Sequence, residues 1–141
     1  MMCNAASCSA ACAVMGWGGK QGDRMEPIFI GHEIYRGSSY GMRHPLRVPR
    51  VSTVMDLARA MGWLPDHAFR RSPRARPSAL THWHLPAYIA ALQEAEEFGP
   101  AEHLKAFGLG THANPIFPEV WRRPATSAGG VLLAAEMLRD G

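Results

Sequence analysis

The sequence predicts an α/β fold, and three observations predict it. "PIFIGH" (27–32) is a short apolar run with Ile28, Phe29 and Ile30 that reads as a buried strand. Later stretches repeat apolar residues at three- and four-residue spacing, which is the mark of helices with one inward face. A weaker strand-like stretch around Phe69 lies between two of those helices. A strand followed by helices opens an α/β layer, and parallel strands need neighbours on both sides. With one strong strand, the layer is expected to be incomplete in this chain and to continue past Gly141.

The elements follow in order. After the first strand comes a Gly/Ser/Tyr-rich loop, "EIYRGSSYGMRHPLRVPR". From Val51, the residues Val54, Leu57, Ala58 and Met61 predict one helical face, with Ser52 or Thr53 as cap and Gly62 after the last turn. "SPRARPS" is a proline-rich turn. "PAYIAALQEAEEFGP" predicts a helix with Pro86 in its first turn, Ile89, Leu92 and Ala95 inward, and Gly99-Pro100 as its end. "GLGTHANPIFP" is a Gly/Asn/Pro loop. "EVWRRPATSAGGVLLAAEMLRDG" predicts a last helix starting at Pro118, with a stripe of Trp121, Ala125, Ala128, Leu132, Ala135 and Leu138. Pro124 is expected to perturb its early turns, Gly129-Gly130 to permit close packing, and Gly141 to cap it.

Bulk properties exclude several classes. The chain has 141 residues, 47% hydrophobic and 19% charged, which is globular composition. The formal charge of +3 is mild and rests on arginine, because Lys20 and Lys105 are the only lysines. Arg70, Arg71, Arg74 and Arg76 cluster, yet no aromatics interleave with them as in a base-stacking surface. They read as a solvated loop, with a phosphate-contacting patch as the alternative, and no nucleic-acid partner is expected. No apolar run approaches the roughly 18 residues of a membrane span. Residues 1–24 have no basic n-region and a short apolar stretch broken by glycine, so they do not read as a signal peptide. The sequence thus predicts a cytoplasmic protein with a leader at 1–24 outside the fold and a domain at 25–141, Met25 marking an alternative start. Cys3, Cys8 and Cys12 all lie in the leader, at spacings that match neither a zinc knuckle nor a disulfide framework.

"THWHLPAY" (81–88) raises the question of metal. Two zinc-ligating histidines need ring nitrogens about 2 Å from one ion. At a spacing of two they share a face on a strand, but they point roughly 200° apart on a helix. His84 stands just before Leu85-Pro86, where a helix is predicted, and neither His103 nor His112 completes a recognisable spacing. The pair therefore reads as structural, with His84 ordering the helix start and Trp83 packing in the core. No G-x-S-x-G, H-E-x-x-H, P-loop or G-x-G-x-x-G is present.

Read together, "YGMRHPLRVPR", "HWHLPAYIAAL" and "GLGTHANPIFPEVWRRPATSAGGVLLAAEMLRDG" resemble the opening of the zinc-dependent histone deacetylase superfamily. The bacterial branch of acetoin utilization proteins and deacetylase-like amidohydrolases is the most similar. The strand, the H-P-x4-R loop ending at Arg50, the aromatic-His-x3-Tyr step at Trp83, His84 and Tyr88, and the Gly-rich loop before an alanine-rich helix follow in the family order. The resemblance covers about Ile28 to Gly141. It implies the front part of a three-layer α/β/α arginase/deacetylase-type sandwich. It also implies hydrolysis of an N-acyl amide, acetyl-lysine or an acetylated polyamine, in a complete member. There a zinc held by two Asp and one His would polarise the acyl carbonyl, with a His-His pair moving protons and a Tyr stabilising the oxyanion.

None of those groups matches a residue of this chain, so no catalytic residue and no metal ligand is assigned, and the missing motifs are expected beyond Gly141. Two positions do carry over. Arg50 matches the arginine that lines an internal channel beneath the family's active site, where a guanidinium suits a released carboxylate. The loop with Thr111, His112 and Asn114 matches the substrate rim; relatives commonly carry an Asp or Glu there, where this chain has His112 and Ala113. The expectation is an inactive N-terminal fragment of a deacetylase-like hydrolase. The alternatives are a non-catalytic module that completes its sheet with a partner chain, and a small metal-binding protein using His82, His84 and the leader cysteines.

Overall fold

The computed structural model describes residues 27–37 and 48–140. The leader, its three cysteines, the loop containing His44-Pro45 and the cap at Gly141 lie outside the described residues. The elements are β1 (Phe29–Gly31), a 3-10 turn (Glu33–Arg36), α1 (Arg50–Ala60), a 3-10 turn (Asp66–Ala68), β2 (Phe69–Arg71), α2 (Pro77–Leu80), α3 (Pro86–Phe98), a 3-10 stretch (Glu102–Phe107) and α4 (Arg122–Asp140). Among the described residues the sheet has two strands, β1 and β2, paired in parallel with Phe29 opposite Phe69 and Gly31 opposite Arg71. The Ser72 N–H donates to the Gly31 carbonyl at 2.8 Å and carries the ladder one step further.

Helix α4 reaches the sheet because two glycines let it. A Cβ on Gly129 would overlap the carbonyl oxygen of Pro73, and one on Gly130 would stand 2.8 Å from Ser72 Oγ and 3.4 Å from Ile30. Ser72 Oγ, in turn, donates to the Thr126 carbonyl at 2.5 Å, and Ala75 N donates to the Ala125 carbonyl at 2.9 Å. The close packing expected at Gly129-Gly130 is thus present, and it locks the 72–75 segment to the helix.

Among the described residues, the buried ones form three nuclei. Met55, Leu64 and Ala68 pack with Phe29, Ala58 and Phe69 under α1. Ala91, Ala95, Leu104, Leu109 and Val120 form the nucleus between α3 and the Gly-rich loop. Ile89, Trp121 and Ala125 join α3 to α4.

Several sequence expectations are corrected. Trp83 is 86% exposed and is not core. Its N–H and that of His84 both donate to the Leu80 carbonyl, which makes 81–84 an outward turn, and Trp121 fills the core position beside Leu80 and Ile89 instead. Helix α1 turns Met55 and Ser52 inward and leaves Val54, Leu57 and Met61 exposed. Met55 packs with Leu64 and Ala68, and polar contacts accompany that rotation: Arg36 grips Asp56 with both guanidinium nitrogens, at 2.6 and 3.0 Å, and the Arg59 guanidinium lies 4.9 Å over the Phe69 ring. Ser52 and Thr53 do not cap α1, since both hydroxyls donate to the Pro49 carbonyl. Helix α4 begins at Arg122, not at Pro118, so Pro124 falls in the first turn, where its missing N–H costs nothing. The stripe holds for Trp121, Ala125 and Ala128, but Leu132, Ala135 and Leu138 are exposed.

Candidate functional site

The Gly-rich loop is a self-supporting structure. Gly108 and Gly110 take φ of 74° and 75°, which L side chains rarely adopt. Between and beyond them, Asn114 N donates to Thr111 Oγ1 at 3.1 Å, Asn114 Nδ2 donates to the Gly108 carbonyl at 3.3 Å, and Gly110 N donates to the Asn114 carbonyl at 2.9 Å. Thr111 and Asn114 are therefore spent on holding the turn. His112 and Ala113, at its tip, are exposed.

A cleft of about 770 Å³ opens beside this loop. Its polar walls come from distant elements: Tyr35 after β1, His84 and Tyr88 at the start of α3, Asn114 from the loop, and Arg123 and Ser127 from α4. The His84 and Tyr88 rings lie 5.8 Å apart, one helical turn from each other, and Tyr88 continues to Phe107 at 6.4 Å. The exposed His84 ring thus touches the first turn of α3, which no side chain caps. Arg123 lies 5.6 Å from the Tyr35 ring and donates to the Tyr35 carbonyl at 3.4 Å and the Gly37 carbonyl at 3.5 Å. Burial pushes the Tyr35 phenol above its ordinary value, against the pull of a Ser127 hydrogen bond and the Arg123 charge. A phenol kept protonated is a hydrogen-bond donor at neutral pH.

One carboxylate holds the cleft's far wall in place. Glu96 Oε2 accepts from the N–H groups of both Trp121 and Arg122 at 2.9 Å, and Oε1 accepts from Arg122 Nε. The negative charge thus sits at the start of α4, satisfying orphan donors and complementing the helix dipole. Its side chain is 13% exposed.

The structure separates the predicted site residues. Arg50 is the exposed first residue of α1 and is engaged in a contact there; it is not on the cleft wall. Of the loop residues, Asn114 lines the cleft, while Thr111 and His112 do not. Tyr35, Glu96 and Arg123 were not singled out from sequence. Glu96 had a signal: it stands seven residues after Ile89 and four after Leu92, on the inward face of its helix, where a carboxylate needs a partner. Among the described residues no group of three His, Cys, Asp or Glu side chains lies close enough to hold a metal ion. The described residues therefore do not fit a zinc ion, and among them His82 and His84 meet no third donor. No described helix is long and apolar enough to cross a membrane.

Comparison with known proteins identifies the family and the fold. The histone deacetylase domain family matches residues 44–141. Acetoin utilization protein AcuC of Bacillus subtilis (strain 168) is 27% identical over 117 residues, which cover 82% of this chain and 30% of that protein. The crystal structure of an HDAC homolog from Aquifex aeolicus superimposes with a TM-score of 0.76 at 26% identity, over 83% of this chain and 32% of that one. A crystal structure of an HDAC homolog complexed with SAHA gives a TM-score of 0.76 at 25% identity, with the same coverage. The chain has the deacetylase-type α/β fold over the matched part and spans about a third of the length of these relatives.

Proposed function

Because the chain belongs to the histone deacetylase domain family, we propose that it supplies the substrate-rim loop and one cleft wall of a zinc-dependent hydrolase of N-acetyl amides, and that it turns over nothing by itself. The substrate class is acetyl-lysine or an acetylated polyamine. The observation that carries this reading is the loop built on Thr111 and Asn114, which holds His112 and Ala113 outward beside the cleft.

His112 changes what the rim offers. A carboxylate only accepts hydrogen bonds, whereas a neutral imidazole accepts at one nitrogen and donates at the other. The rim here thus suits a substrate that presents an acceptor as well as a donor. Arg50 serves in a complete enzyme as the channel guanidinium that takes the released carboxylate, always charged and able to bind it through two nitrogens. The residues that hold zinc in such an enzyme are not among those described in this chain.

A chimera tests the reading. The chain is joined to the unmatched remainder of the Bacillus subtilis relative and assayed on an acetyl-lysine peptide and an N-acetylated polyamine. Chelator-sensitive turnover is expected, with Arg50→Ala lowering kcat and His112→Asp shifting KM between the two substrates. Turnover indifferent to both substitutions would remove the assigned roles.

A second reading is favoured by one observation. Val131 and Leu138 on α4, and Val54 and Leu57 on α1, are exposed apolar residues. A module that completes its layer with a partner chain would bury them. A monodisperse monomer in solution at high protein concentration would count against that reading.

A further inference from the structure

A second groove lies away from the cleft just described. It runs between the 73–82 segment and one face of α4, and holds about 500 Å³. Gly129, Leu132, Leu133 and Glu136 line it from the helix, at a spacing that puts them on one face. Pro73 and Ala79 complete an apolar floor, and Arg74, Arg76 and His82 stand on the opposite rim.

The two arginines point the same way for a reason. Ala75 between them is buried and donates its N–H to α4. In an extended stretch neighbours two apart share a side, so Arg74 and Arg76 both face outward. Both are exposed, and neither has an acidic partner among the described residues. Glu136, the one acid lining the groove among the described residues, acts electrostatically on Arg139 farther along its own helix. Arg71, exposed at the carboxyl end of β2, adds positive charge to the same segment. A rim of guanidinia with no acidic partner among the described residues, over a leucine floor, is complementary to carboxylates that alternate with apolar side chains.

We propose that this groove docks an acidic, leucine-containing peptide segment of a partner protein, its carboxylates on Arg74 and Arg76 and its apolar side chains on Ala79, Leu132 and Leu133. Guanidinium forks favour carboxylates by paired hydrogen bonds, and the apolar floor separates such a peptide from a plain polyanion. A nucleic acid fits less well: no Phe, Tyr or Trp lines the groove, and Trp83, next to His82 in sequence, is not among its lining residues.

The probe is a fluorescein-labelled peptide of about a dozen residues with two Glu-x-Glu steps and two leucines, an extended segment long enough to follow the groove. Its binding to the full chain is read by anisotropy. Saturable binding that weakens as salt is raised is expected. Arg74→Glu/Arg76→Glu should weaken it at least about tenfold, by reversing two rim charges. Leu132→Asp should weaken it too, and Lys105→Glu, which lies off the groove, should leave it unchanged. Peptides with Gln for Glu, or Ser for Leu, should bind less tightly. The proposal is overturned if the unaltered chain does not bind, if the Ser peptide or an oligothymidylate binds equally well, or if the charge reversal changes nothing. Should a variant lose its helical circular dichroism, the salt titration of the unaltered chain decides, and salt-independent affinity overturns the proposal.

Discussion

The two halves of α4 are written in the same alphabet and live in opposite surroundings. In the first half, Ala125, Thr126 and Gly129 are buried against β1, the 72–75 segment and α3. In the second, Val131 is 69% exposed and Leu138 is 73% exposed. Periodicity predicts both halves equally. The difference lies in what stands opposite: the first half faces backbone at glycine distance, and the second has only the open groove with the 73–82 segment on one side, leaving Val131 and Leu138 exposed. An apolar stripe tells which face seeks cover, and only the fold tells whether cover is there.

The comparison can be broken most sharply at Gly129. Gly129→Ala forces a Cβ into the Pro73 carbonyl, which is backbone and cannot swing aside. A loss of about 3 kcal/mol or more is expected in urea unfolding, the upper end of overpacking costs. A loss under about 1 kcal/mol would mean that the 72–75 segment is not locked to the helix.

Leu104 tests the buried side from another nucleus. At 0% exposure, Leu104→Ala should cost about 2–5 kcal/mol. Glu96 comes next. Glu96→Ala strips two backbone N–H groups and the Arg122 guanidinium of their acceptor, for about 2 kcal/mol, and Glu96→Gln should recover part of it by keeping one acceptor oxygen.

His32 gives a smaller, pH-dependent effect. Its Nδ1 accepts the Ile34 N–H at 2.9 Å, so the folded chain needs that nitrogen unprotonated. Burial, then Arg71, with a lesser push from Arg74, hold its pKa below the ordinary 6.5, with Glu33 opposing. The unfolded chain therefore takes up the proton first as pH falls. The contribution to stability is present above pH 6.5 and is lost as pH drops below it towards the folded value. Unfolding midpoints measured across that range should fall on acidification, and His32→Asn should flatten the slope. Least of all, Leu138→Ala should change stability by less than about 0.5 kcal/mol. A cost near that of Leu104→Ala would show that the exposed half is covered in solution.

Sequence showed much of the fold and less of the site. β1, the helices after Val51 and Pro86, the turn glycines and the close approach at Gly129-Gly130 were all legible, because each depends on local pattern or on a residue without a Cβ. The orientation of α1 was not, because it goes with contacts across the chain: Met55 packs on Leu64 and Ala68, and Asp56 and Arg59 meet Arg36 and Phe69. Trp83 and Trp121 look alike as apolar aromatics, and only the hydrogen-bonded turn at Leu80 separates surface from core. Tyr35 and Arg123 meet across 88 residues, a pairing no spacing encodes. The loop carrying Thr111 and Asn114 was found as a motif, and the structure adds that both residues bind the loop to itself.

The most direct measurement is turnover by the chain alone. Purified 1–141, supplied with zinc, is incubated with an acetyl-lysine peptide and an N-acetylated polyamine, with and without chelator. The account predicts no chelator-sensitive release of acetate from either. Release that the chelator abolishes and added zinc restores would contradict it, and would place a working metal site within this chain.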